Sequence, residues 1–167
     1  SWIEPNEAWE QATASFVEKI LDEETNGKFC RDLVEMGQLV AQLGAINSLA
    51  QTVVKCTAPG VPDFYQGTEI WDFSLVDPDN RRNVDYSARG RLLASLRHTH
   101  PRELLEDWQS GRIKLFVIQR LLAFRAANQR LFLKGSYHEV PIAGEHSDCL
   151  IAFERRLDSQ RLLVIVP

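Results

Sequence analysis

A mainly helical chain that turns to antiparallel strands near its end is the fold class the sequence predicts, and three observations predict it. Apolar residues recur at spacings of three and four through most of residues 9–126, which is the signature of helices that bury one face. A polar stretch from Gln66 to Asn83 interrupts them and keeps no period. After Leu131 the period shortens to two, as strands require.

Pro5 and Asn6 precede a first pattern, Trp9, Ala12, Phe16 and Ile20 with Leu21 beside them, which should end near Thr25-Asn26-Gly27. A second runs through Phe29, Leu33, Met36, Val40 and Leu43 and on to Ile46, Leu49, Val53 and Val54. It reads as one long helix broken near Gly44. Stripes of this kind are usually core, and they are assigned to packing, as are Trp2 and Trp9. Two prolines and a glycine in Thr57–Pro62 stop the helix, and Asp63-Phe64-Tyr65 reads as a short strand. Helical pattern resumes from about Ser87 to Leu96, again from Pro101 to Leu105, and then through Leu115, Ile118, Leu122 and Ala126, closing near Asn128. Three strand-like runs follow, Tyr137–Ile142, Leu150–Glu154 and Leu162–Val166, with turns at Gly144 and Asp158-Ser159.

Composition removes several classes of function. With 167 residues, 44% hydrophobic and 25% charged, the chain can bury a core, and its net charge of −4 with scattered basic residues offers nucleic acid no basic stripe. No apolar run reaches the roughly 20 residues needed to span a bilayer, so no membrane partner and a cytoplasmic location are expected. Cys30, Cys56 and Cys149 are odd in number and far apart, and read as reduced thiols. The four histidines show no metal-ligand spacing, and neither metal nor other cofactor is expected. The chain opens without methionine and ends on an apolar β-branched run, the look of a piece of something longer.

The stretch Thr57-Ala58-Pro59-Gly60-Val61-Pro62-Asp63-Phe64-Tyr65-Gln66-Gly67-Thr68-Glu69 resembles the eighth-strand region of the α-amylase family of glycoside hydrolases, where a Gly-x-Pro-x-x-Tyr-x-Gly-x-Glu pattern recurs. Its continuation, Ile70-Trp71-Asp72-Phe73-Ser74-Leu75-Val76-Asp77-Pro78-Asp79-Asn80-Arg81-Arg82, is similar to one branch, the maltooligosyltrehalose synthases. Ser1-Trp2-Ile3, Gly44–Thr52 and Gly111–Phe116 agree with that branch as well. The resemblance weakens after residue 131, and Asn83 stands where the family usually has proline.

The resemblance implies a parent enzyme that is a (β/α)₈ barrel with a C-terminal β-sandwich, its active site at the C-terminal face of the barrel. Residues 1–130 would then supply the last helices, eighth strand and eighth helix region of the barrel, and 131–167 the start of a truncated β domain. The implied reaction is an intramolecular transglucosylation that turns the reducing-end α-1,4 bond of a maltooligosaccharide into an α,α-1,1 bond. A retaining mechanism of that kind needs two carboxyl groups about 5 Å apart. The family carries them, with a third aspartate, on strands upstream of this segment, so no catalytic residue is expected here and the isolated chain is expected to be inactive. Its partners would be an α-glucan and the upstream barrel of the same chain.

The polar stretch retains a task. The freed glucose must stay, turn over and attack before water does, and a site rich in hydrogen-bonding groups favours this. Tyr65, Gln66, Glu69, Asp77, Asp79, Asn80, Arg81 and Arg82 suit that binding role by type. Arg81 and Arg82 could equally pair with Asp77 and Asp79 and stiffen the loop, and Trp71 beside Ile70 and Phe73 is more readily packing than a sugar platform. Two other functions fit the sequence: a fragment of an amylase-family α-glucan hydrolase, or a non-enzymatic helical module with an exposed apolar stripe.

Overall fold

The computed structural model describes residues 4–75, 77 and 81–167. It is mainly helical, with one three-stranded antiparallel sheet at the C-terminal end. The described chain divides into two compact units, one ending at Gly44 and one beginning at Ala45.

In the first unit, α1 (Glu7–Ile20) starts where Asn6 accepts a hydrogen bond from the Trp9 amide at 3.1 Å, satisfying one of the free donors of the first turn. α2 (Glu23–Thr57) begins two residues beyond Leu21, and Asn26 is non-helical within it (φ −126°, ψ 31°). The Asn26 side chain instead donates to the carbonyl of Lys19 at 2.7 Å, capping the end of α1. The expected end of the first helix near Gly27 therefore lies at Ile20, and the expected break near Gly44 is at Asn26; α2 runs helical through Gly44. A glycine inside a helix costs only about 1 kcal/mol, too little to break a long one. No residue of α1 is buried. Trp9, Phe16, Leu33, Met36 and Val40, expected in a core, are all exposed. Nothing among the described residues covers them. Trp2, read the same way, lies outside the described residues.

The second unit has two cores. The C-terminal part of α2 puts Ala50, with Val53 and Val54, against Phe153, Val164 and Val166 of the sheet. That sheet runs β1 (Ser136–Glu139), β2 (Ile151–Leu157), β3 (Gln160–Val166) in order, with Phe153 opposite Val164 and Arg155 opposite Leu162. The second core joins Leu96, Leu104, Ile113 and Leu115, with Ile70, Trp71 and Trp108 packed on it. It is built by α3 (Tyr86–Ser95), α4 (Pro101–Glu106, with proline in the first turn) and α5 (Arg112–Ala127). A short α6 (Gln129–Lys134), which the sequence pattern did not foresee after the close of α5 near Asn128, leads into the sheet.

Asp63-Phe64-Tyr65, expected as a short strand, forms none: a strand exists only through its pairing neighbours, and here Phe64 instead lies beneath the Lys55 ammonium, 3.9 Å from its ring centroid.

Arg155 joins the helical and β parts of this unit. It is 1% exposed and donates to five carbonyl groups: Thr57 (3.2 Å), Leu131 (3.4 Å), Phe132 (3.1 Å), Gly135 (3.0 Å) and Ser136 (3.3 Å). Most belong to the ends of α2 and α6, where helices leave carbonyls without intrahelical partners. Burial pushes its guanidinium below the usual arginine range. The planar fork lets one side chain satisfy all of them, which an ammonium could not.

Candidate functional site

The polar stretch is held at three places. Between Tyr65 and Glu69 the chain turns, with the Thr68 amide and hydroxyl both donating to the Tyr65 carbonyl, at 3.1 and 2.7 Å. Gly67, at φ +94°, provides the left-handed residue this turn needs. At Ile70-Trp71 the chain is clamped by the segment before α5. The Trp71 indole Nε1 donates to the Trp108 carbonyl at 2.6 Å. Gly111 (φ +74°) comes so close that a Cβ there would sit 2.9 Å from both Ile70 Cβ and Trp71 N. Lys114 adds a hydrogen bond to the Ile70 carbonyl at 3.3 Å, with its ammonium 5.8 Å from the Trp71 ring centroid. Trp71 thus packs, as the sequence favoured, and its polar edge is satisfied. At the far end Asp85 caps α3 by accepting from the Ala88 amide at 2.8 Å.

Between these anchors lies an open cleft of about 360 Å³, lined by Gln66 and Gly67, Trp71 to Ser74, and Arg82, Asn83, Val84 and Arg89. Its chemistry mixes amide, carboxylate and guanidinium groups with the apolar surfaces of Trp71 and the exposed Phe73. Such a mixture suits a polyhydroxylated ligand, whose hydroxyls need hydrogen-bond partners and whose C–H faces favour aromatic rings. Asp72 accepts from the Ser74 hydroxyl (2.7 Å) and amide (3.0 Å), and these bonds, the hydroxyl's first, hold its carboxyl below the ordinary aspartate range. It is ionised at neutral pH and acts as an acceptor. Burial, reinforced by Lys55, lowers the Lys114 ammonium, against the opposing pull of Asp72 and Glu69.

Of the eight residues singled out by sequence, Gln66 and Arg82 line this cleft. Tyr65 is exposed beside it, outside the lining. Glu69 is turned away to Arg89, its Oε2 accepting from Arg89 Nε at 2.9 Å. Asp77 and Arg81 form an exposed ion pair, with Arg81 Nη2 donating to Asp77 Oδ2 at 2.8 Å, one of the two arrangements foreseen for them. Asp79 and Asn80 lie outside the described residues. Sequence reasoning missed Arg89, Ser74 and Lys114. For Arg89 there was a local signal, since Asp85 and Arg89 stand at i and i+4 in the first turn of a helix that leaves the polar stretch. No group of three or more metal-ligating side chains occurs among the described residues. Nor, among them, is any helix long and apolar enough to cross a membrane.

No family model matches the chain. It is 36% identical over 155 residues to a Mycobacterium tuberculosis protein carrying the name maltooligosyl trehalose synthase, a match covering 93% of this chain and 18% of that one. A crystal structure of a maltooligosyl trehalose synthase superposes on 99% of the chain with a TM-score of 0.84 at 32% identity, using 22% of its own length. The Arthrobacter ramosus maltooligosyltrehalose synthase aligns over 93% of the chain with a TM-score of 0.73 at 35% identity, using 19% of its length. The chain spans about a fifth of the length of the relatives it matches.

Proposed function

This chain is a relative of the maltooligosyltrehalose synthases, matched along nearly its whole length to about a fifth of theirs, and we propose from that premise that it is the C-terminal portion of such an enzyme, acting in the cytoplasm. The enzyme is an intramolecular transglucosylase, an isomerase that moves the reducing-end glucose of a maltooligosaccharide from an α-1,4 to an α,α-1,1 linkage. Its barrel and catalytic carboxyl groups lie on segments outside this chain. The polar stretch from Tyr65 to Arg82 contributes to the wall around the acceptor glucose, holding it while it turns and keeping water away. The observation that carries this reading is the cleft between Gln66 and Arg82, which falls on the stretch whose sequence most resembles the branch and offers groups suited to sugar hydroxyls.

The experiment compares products. In the intact enzyme, maltopentaose should give mainly the trehalose-ended isomer, and Gln66→Ala or Arg82→Ala should raise free glucose relative to it. Loss of a contact worth about 1.4 kcal/mol in the transfer transition state alone changes the ratio roughly tenfold. A residue that only stiffens the loop would lower both products and leave the ratio in place, and that result in both variants removes them from the acceptor site. The 167-residue chain alone should convert no maltopentaose. Turnover by the purified chain would place the catalytic groups within it.

A further inference from the structure

The geometry points to Arg89 as the residue that positions the walls of this cleft, an inference that rests on the acceptor-site reading above. Arg89 lies in the first turns of α3, four residues after its cap Asp85. All three of its guanidinium nitrogens are used. Nε donates to Glu69 Oε2 at 2.9 Å, Nη2 to the Gly67 carbonyl at 2.8 Å, and Nη1 to the Asp85 carbonyl at 3.3 Å. The side chains of Arg89 and Glu69 are only 19% and 27% exposed, so this pair is screened far less than one at the open surface.

These three acceptors lie at the two ends of the polar stretch. Gly67 and Glu69 belong to its start, and Asp85 follows its end. The guanidinium therefore ties the turn bearing Gln66 to the helix that begins just after Arg82 and Asn83, so that two segments lining the cleft are joined through one rigid plane. Gly67 is pressed onto it: a Cβ at Gly67 would lie 3.2 Å from Val84 Cγ2 and 3.5 Å from Arg89 Nη2. Glu69, named by the sequence as a sugar-binding candidate, acts in this arrangement through Arg89. Lysine could reach Glu69 or the Gly67 carbonyl, but its single ammonium does not reproduce the fork.

The test uses the intact enzyme carrying this segment, with Arg89→Gln, Arg89→Lys and Glu69→Gln. Maltopentaose products, melting temperature and amide hydrogen exchange of residues 66–74 are measured together. Arg89→Gln should speed exchange in 66–74 and cut the ratio of isomer to free glucose by about tenfold. Arg89→Lys should lie between it and the parent. Glu69→Gln, which leaves the bond to Gly67, should shift the ratio less than Arg89→Gln. Should Arg89→Gln fail to fold, the other two variants carry the same comparison. Faster exchange with an unchanged ratio overturns the proposal, since Arg89 would then stiffen a loop that does not serve the acceptor. No change in either measurement overturns it as well. Gln66→Ala and Arg82→Ala separate the two ways of failing: a shifted ratio there, with none in the Arg89 variants, keeps the acceptor site and dismisses Arg89, whereas no shift in any variant dismisses the site itself.

Discussion

Replacing Gly111 by alanine tests whether the approach of the α5 N-terminus to Trp71 holds the cleft in shape. At φ +74° an alanine enters the left-handed region, at a cost of roughly 1–2 kcal/mol. Its Cβ also meets Ile70 Cβ and Trp71 N at 2.9 Å each, one of them backbone, so the 70–71 segment must move. Overpacking of this kind costs about 1–3 kcal/mol. Together they predict a loss of about 2–5 kcal/mol, or roughly 5–15 °C in melting temperature for a chain of this size. The displacement should also weaken the 2.6 Å bond from Trp71 to the Trp108 carbonyl, visible as altered indole fluorescence and faster exchange at the Trp71 Nε1 proton. Gly111→Asn separates the two causes, because asparagine tolerates the left-handed region but still carries a Cβ. If the close approach matters, both variants are destabilised and both disturb Trp71. Stability within 0.5 kcal/mol of the parent in both variants, with Trp71 unmoved, would refute the reasoning.

Arg155→Met keeps the apolar stem but leaves the buried carbonyls of Thr57 and Phe132, and the half-buried one of Gly135, without their donor; unfolding in urea should show a loss of at least about 3 kcal/mol, and a loss below about 1 kcal/mol would mean that water replaces the guanidinium at no cost. Asp72, with its pKa depressed by Ser74 below the ordinary 3.8, contributes stability that is complete above about pH 4 and lost as pH falls through its folded value. Asp72→Asn should therefore flatten part of the stability profile below about pH 4, and identical profiles would remove the hydrogen bonds to Ser74 as its cause.

The helices and the final sheet were legible because burial imposes a period. Leu115 and Ile118 on α5, and Phe153 and Val164 on the strands, sit in the core as their spacing requires, whereas Leu122 and Ala126 of the same stripe are exposed. The same logic misled where a stripe had no cover in the chain, so that Trp9 and Phe16 read as core and stand exposed. The strand at Asp63–Tyr65 failed for a related reason, since the residues that would pair with it set its state as much as its own do. Within the candidate site, Gln66 and Arg82 were visible as polar groups in an aperiodic stretch, and the Asp77–Arg81 pair as one of the pairings open to the loop's adjacent arginines and nearby aspartates. Arg89 was passed over although its i, i+4 relation to Asp85 lay in view, and Arg155 was not visible at all, because it acts on backbone carbonyls far along the chain. Arg155 reaches 98 positions back to Thr57, and every residue type carries a carbonyl, so no partner's identity announces the contact.

That choice of partner gives the junction at Arg155 a different sensitivity to acid from the rest of the second unit. The ties of Arg112 to Asp107 and of Arg156 to Glu154 depend on ionised carboxylates, which those arginines hold below the ordinary range, and each is weakened once its acid takes up a proton. The carbonyls around Arg155 have no proton to gain in that range, and the guanidinium remains a cation throughout. Acid thus separates two kinds of adhesive in one unit, weakening its carboxylate pairs while the sheet stays fastened through carbonyls to α6 and the end of α2.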